Sequence, residues 1–148
     1  MTNGTTSEAA LANNYSGLRG IRLFTVGQGT PFQNGSTPAD HLLTVEQGWV
    51  AASNTTVRDV RPDQSFTYFS AVCWIFGRTV HDGLGGTVPV GLVSSNWPGT
   101  RVEEWVPLTP GVEKCAAASK APHGLTPLNY LYNSMINPFT VGQSKAPP

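Results

Sequence analysis

The residues best placed to do chemistry lie in one stretch, Thr87-Val-Pro-Val-Gly-Leu-Val-Ser-Ser-Asn-Trp-Pro-Gly-Thr-Arg-Val-Glu-Glu-Trp105. It carries hydroxyls at Ser94, Ser95 and Thr100, an amide at Asn96 and a carboxylate at Glu103. An apolar run, Val88 to Val93, leads into a small polar turn, Ser94 to Thr100. A strand that enters a tight turn and then a helix N-terminus directs free N–H groups outward, so the turn is a candidate oxyanion or anion site. Every βα unit has such a turn, and ordinary turn hydrogen bonding is the competing reading of the same hydroxyls. A serine or threonine nucleophile would also need a base within hydrogen-bond reach. Sequence spacing brings no histidine to this turn: His41, His81 and His123 are scattered. No Cys/His cluster has ligand spacing, so neither a metal nor another cofactor is expected.

The elements that must position this turn follow from periodicity. Val88 to Val93, bounded by Gly86 and Ser94, reads as a short strand buried on both faces. Thr100 is placed to cap a short helix from Arg101. Phe66 to Val80 predicts a helix, with Phe69, Val72, Cys73, Phe76 and Val80 as its core face. Ser65 or Asp63 is placed to start it, and Gly83-Leu-Gly-Gly86 to stop it. Ile21 to Val26 is apolar and β-branched, a strand. Strand 21–26, helix 66–80 and strand 88–93 then form a right-handed β-α-β crossover with two adjacent parallel strands. Elsewhere, Thr5 and Glu8 have capping-box spacing before Ala9–Ala12, a short helix. Val45 to Ala52 reads as a weak strand, and Val112 to Ser119 as a short helix. Thr126-Pro127 would open a helix through Ile136 that Pro138 ends.

Composition narrows the partners. A chain of 148 residues is the size of one domain and can bury a core. Nine basic and nine acidic residues cancel, so no nucleic-acid or membrane-surface partner is implied. No run of apolar residues is long enough to span a bilayer. The N-terminus lacks a basic segment followed by an apolar one, so no signal peptide is expected in this chain. Asn3, Asn14, Asn34 and Asn54 each begin an N-x-S/T sequon, which would fit a secreted or lysosomal parent and is also what an Asn-, Ser- and Thr-rich sequence yields. Cys73 and Cys115 are the two cysteines. They would pair in an oxidising compartment, whereas Cys73 on the central helix also reads as a buried small hydrophobe.

Four separated phrases, in order, resemble the sialate O-acetylesterase family of SGNH-type esterases. They are Ile21-Arg-Leu-Phe-Thr-Val-Gly-Gln28 with Gly48-Trp-Val-Ala-Ala-Ser53, then Phe69-Ser-Ala-Val-Cys-Trp-Ile-Phe-Gly-Arg78, then Pro89 to Thr100 with Glu103-Glu-Trp105, and finally Leu131-Tyr-Asn-Ser-Met-Ile-Asn-Pro138. The resemblance runs from about Thr6 to Val141. It implies a three-layer α/β/α domain with a parallel, flavodoxin-like sheet, and hydrolysis of acetyl esters on sugar hydroxyls such as those of sialic acid. In that family a "GGT" turn contributes to the oxyanion hole. Here the first glycine is Pro98, which has no N–H, so Gly99 is the candidate donor. Ser95, Asn96, Trp97, Thr100 and Glu103 are then the candidate pocket rim.

The family's nucleophile block, its oxyanion Asn block and its Asp/His block are not spelled here, and no catalytic residue is assigned. Residues 1–148 therefore read as an internal, incomplete slice of the domain. Gly142-Gln-Ser144 matches the first three letters of the nucleophile block but continues as Lys-Ala-Pro-Pro148, and it follows the wrong strand. The alternative is a non-catalytic sugar-binding or structural piece on the same scaffold.

Overall fold

The computed structural model describes residues 2–27, 38, 39, 41–58, 69–118 and 128–140. The expected starts at Asp63, Ser65 and Thr126-Pro127, and Ser144, lie outside them. The chain forms two compact units, Met1–Val26 with Val45–Asn96, and Gly27–Thr44 with Trp97–Pro148.

The first unit is built on a three-stranded sheet in the order β2-β1-β3. Strand β1 is Ile21–Val26, β2 is Val45–Ala51 and β3 is Val90–Ser94. β1 and β3 are parallel neighbours, with Leu23 opposite Leu92 and Thr25 opposite Ser94, as the crossover predicts. β2 runs antiparallel to β1, so the sheet is mixed and not parallel throughout. β3 is half-exposed along its length, with only Leu92 and Ser94 buried. It is an edge strand among the described residues, which corrects the expectation of burial on both faces. Its apolar run is one that an interior parallel strand would also carry, so composition did not distinguish the two.

Helix α1 (Thr2–Leu11) continues into a 3-10 turn, Ala12–Tyr15. Thr5 lies inside the helix and is not its cap. Glu8 reaches away from its own helix end, accepting from Trp74 Nε1 at 3.2 Å and from Arg78 Nη2 at 3.2 Å. Helix α2 (Ala71–Gly83) starts later than predicted, because Ser70 caps it by accepting from the Cys73 N–H. Its end follows the glycines. Gly85 and Gly86 take positive φ of 71° and 67°, and their N–H groups donate to the carbonyls of Asp82 and His81.

α2 packs mainly on β3; of the face the periodicity selects, Phe69 and Cys73 do meet the core, while Val72, Phe76 and Val80 do not. Trp74, Gly77 and His81 are buried, while Val72 is 80% and Phe76 is 67% exposed. The buried side carries Trp74 together with Arg78 and His81, whose side chains meet Glu8 and the Arg19 carbonyl, so a purely apolar period favoured the other side. The core joins Ala12, Ile21, Leu23, Ala52, Phe69, Trp74 and Leu92, with Tyr15, Val50 and Cys73 against it.

The second unit contains a 3-10 turn (Val102–Trp105), α3 (Pro110–Ala118), a π-helical turn (Tyr132–Ile136) and α4 (Asn137–Thr140). Pro138 does not end the last helix. It falls in the first turn of α4, where a missing N–H costs nothing, just after the π turn closed by the Asn137 N–H on the Tyr132 carbonyl.

Candidate functional site

The turn predicted to carry chemistry starts in the first unit. Ser94 ends β3 and is buried. Its Oγ accepts from Asn96 Nδ2 at 2.8 Å, a contact two residues long that holds the chain as it leaves the strand. Ser95 and Asn96 are half-buried beside it.

In the second unit, Trp97-Pro-Gly-Thr100 forms a tight turn. Gly99 has φ of 76°. Pro98 therefore occupies the position for which its ring is pre-set, and Gly99 the next one, where left-handed backbone is required: the pattern of a type II turn. The loss of the first glycine of the "GGT" phrase thus falls at a position that does not need glycine. The Thr100 hydroxyl donates to the Trp97 carbonyl at 2.7 Å and closes the turn. The same oxygen accepts from Trp105 Nε1 at 2.9 Å, which ties the turn to the helical segment after it. Gly99 is exposed, and its N–H meets no acceptor among the described residues.

Thr100 is not the cap that the sequence suggests. Arg101 holds that position, its N–H donating to Glu104 Oε1 at 3.4 Å, and its Nε lies 3.5 Å from the same oxygen. Glu104 is buried, with Glu103 half-buried next to it. The Glu103 carbonyl accepts from the Asn129 N–H at 3.0 Å. Asn129 itself takes φ of 61°, a conformation asparagine tolerates better than most residues. Its Nδ2 donates to Asn133 Oδ1 at 3.2 Å. The Asn133 carbonyl accepts from the Ala39 N–H, and the Ala39 carbonyl accepts from Asn137 Nδ2 at 2.9 Å.

Tyr130 is buried in the same unit. Burial first, and then the negative charge of Glu104, push its phenol up to about 12. Asn129, just ahead of the phrase Leu131 to Pro138 and tied to it through Asn133, is thus a polar brace for the Glu103–Glu104 segment. Its signal in the sequence was the run of asparagines at 129, 133 and 137, four apart and hence on one helical face.

His81 cannot serve Ser94. Its Nε2 is 2.8 Å from the Arg19 carbonyl, ahead of the amino end of β1, and its ring stacks edge-on against Tyr15. Ser94 ends the parallel neighbour of β1, one strand length away, about 16 Å at ~3.3 Å per residue. The Tyr15 hydroxyl donates to Asp82 at 3.0 Å, and Arg78 lies between Asp82 and Glu8. This polar group fastens α1 and its 3-10 turn to α2. Cys73 is half-buried and Cys115 exposed, both free thiols. Among the described residues no three metal-ligating side chains cluster, and no helix is long and apolar enough to cross a membrane.

No family model matches the chain. It is similar to the sialate O-acetylesterase of Mus musculus, 58% identical over 66 residues, which is 45% of this chain and 11% of that protein. It is also similar to the sialate O-acetylesterase of Homo sapiens, 35% identical over 83 residues, 49% of this chain and 14% of that protein. Among solved structures it resembles a carbohydrate acetylesterase from Xanthomonas citri, with a TM-score of 0.56 at 22% identity, over 93% of this chain and 25% of that one. At that identity the likeness speaks for the fold. The chain is thus a partial relative of the sialate O-acetylesterases, sharing their sequence over up to about half of its own length and spanning roughly a tenth to a seventh of theirs.

Proposed function

We propose that this chain is the part of a carbohydrate O-acetylesterase that presents an oxyanion donor and one rim of the acyl pocket, and that it is inactive without the rest of such an enzyme. The observation that supports this most is the Pro98–Gly99 turn. Gly99 alone takes the left-handed backbone in it, and its N–H is left without an acceptor among the described residues. In this reading an acetyl ester of a sugar hydroxyl binds with its carbonyl oxygen toward Gly99. A serine outside this chain attacks the carbonyl carbon. Its proton passes to a histidine, also outside this chain, and the oxygen that gains the charge is held by the Gly99 N–H. The residues that the resemblance puts at the pocket rim are Ser95 and Asn96 in the first unit and Trp97, Thr100 and Glu103 in the second. They are held by the Ser94–Asn96 bond, the Thr100–Trp105 bond and the Asn129 brace.

The test is hydrolysis of a chromogenic acetyl ester and an O-acetylated sialoside by the purified chain, with labelling by a serine-reactive fluorophosphonate. The expected result is neither turnover nor label. Turnover with a label on Ser94 or Ser95 would overturn the assignment of the nucleophile to another segment.

A further inference from the structure

Toward the carboxyl ends of the parallel strands, the sheet of the first unit changes character in one step. Leu23 of β1 pairs with Val50 of β2 and with Leu92 of β3, an apolar row that belongs to the core. Two residues on, Thr25 of β1 pairs with Gln47 of β2 and with Ser94 of β3, a row of three polar side chains. Thr25 is 4% exposed, Gln47 9% and Ser94 2%. The Ser94 Oγ accepts from Asn96 Nδ2. Thr25 Oγ1 and Gln47 Oε1 meet no hydrogen-bond partner among the described residues. The Gln47 amide cannot turn over to change this. Its Nε2 donates to the Thr56 carbonyl at 3.4 Å, and a carbonyl accepts but does not donate. A hydroxyl and a bare acceptor therefore lie on neighbouring strands, away from bulk water, where an unmade hydrogen bond is expensive.

We propose that this row is a binding site for one internal water molecule, which accepts from the Thr25 hydroxyl and donates to Gln47 Oε1. Three features favour water over a larger group. First, a buried water needs two to four polar partners. Thr25 and Gln47 supply two. The Ser94 hydroxyl, whose own proton is not used by the bond from Asn96, lies on the other side of Thr25. Second, the β1–β2 ladder slips on both sides of the Thr25–Gln47 pair. The step from Leu23 to Thr25 on β1 is matched by the longer step from Val50 to Gln47 on β2. Such a bulge disrupts the ladder locally and leaves room that a regular pair lacks. Third, Thr25 is too deeply covered for a sugar or a peptide to reach it without parting the strands from what packs on them. The bound water joins β1 to β2 beside the point where Ser94 and Asn96 leave β3. It completes the hydrogen bonding of the strand end from which the turn departs.

The inference is independent of the proposed catalytic role. It is tested on the full chain by the sign of one substitution. Thr25→Val keeps the shape of the side chain and removes the hydroxyl. Were that hydroxyl idle, the variant would be the more stable, because a desolvated polar group gives way to a methyl. With the water in place, the substitution strands both the water and Gln47, and the unfolding constant in urea should rise about fivefold. In a Gln47→Leu background the water has already lost an anchor, and the same substitution should change the constant less than about twofold. A crystal structure of the wild-type chain should show an ordered solvent peak within ~3.2 Å of both Thr25 Oγ1 and Gln47 Oε1. This measurement decides the matter even if a variant folds poorly. A stabilising Thr25→Val, an equal effect in both backgrounds, or a protein atom in place of the solvent peak would overturn the inference.

Discussion

Gly77 of α2 rests directly on Leu92 of β3: a Cβ at position 77 would collide with both methyl groups of that leucine. The closeness of helix and edge strand in the β-α-β unit depends on this one missing side chain. Leu92 sits opposite Leu23 in the parallel pairing, so the contact also sets α2 over the core. Gly77→Ala should gain about 1 kcal/mol of helix propensity and lose ~1–3 kcal/mol to overpacking, a net loss on balance. Urea unfolding would show it. In a Leu92→Ala background the same change should cost less or stabilise, since the colliding atoms are gone. Equal effects in both backgrounds would refute the contact.

Gly99 is constrained for the opposite reason. No atom lies near the place its Cβ would take, so Gly99→Ala meets only the conformational cost of a left-handed backbone, ~1–2 kcal/mol. Gly99→Asn should cost less, because asparagine visits that region more readily. The order Gly, Asn, Ala in melting temperature is the expected readout. In a longer polypeptide with acetylesterase activity, the Ala variant should also lower kcat more than it raises KM.

Tyr130 gives the second unit a pH dependence. Its phenol titrates near 12 in the fold, against about 10 for an unperturbed tyrosine. Between those values the unfolded chain has lost the proton and the native chain has kept it. Stability contributed by the raised group is therefore whole below pH 10 and is lost as pH rises toward 12. Denaturation from pH 9 to 12 should show wild type losing more stability than Tyr130→Phe, and parallel curves would count against it.

The two thiols should differ in reactivity. Burial pushes the Cys73 thiol up, and its Sγ faces the Val93 carbonyl at 3.8 Å, whereas Cys115 is exposed. Alkylation at pH 8 should therefore modify Cys115 first and Cys73 only slowly, as read by peptide mass. Faster labelling of Cys73 would mean that α2 opens away from β3.

The chain alone should hydrolyse acetyl esters no faster than background. One oxyanion donor is worth about 3–4 kcal/mol, and an enzyme needs at least ~8 kcal/mol over the uncatalysed reaction. The nucleophile and base must supply the difference. If turnover is seen and Ser144→Ala abolishes it, the Gly142-Gln-Ser144 motif is the nucleophile after all.

Local rules made much of this fold legible. Ile21 to Val26 is a strand because β-branched and apolar residues cluster there. The helix after Phe69 stops where Gly83-Leu-Gly-Gly86 supplies positive φ. The parallel pairing of β1 with β3 follows from the helix between them. The four phrases also marked the relation to the acetylesterases. Each of these depends on residues close together in sequence or on the words themselves.

What the sequence left open was settled by contacts between distant residues. The inner side of α2 was one such choice. Its buried side carries Arg78 and His81 beside Trp74, Trp74 Nε1 donates to Glu8, 66 residues away, and Gly77 was small enough to meet Leu92. The direction of β2 was another, since a short strand segment reads the same both ways. The brace from Asn129 to Glu103, and the raising of Tyr130 by burial and then by Glu104, needed two segments some 26 residues apart to meet in one unit. Sequence determined which residues could form each element and which words it shares with its relatives. Tertiary structure decided which faces were buried, because burial is a property of what lies opposite a side chain and not of the side chain alone.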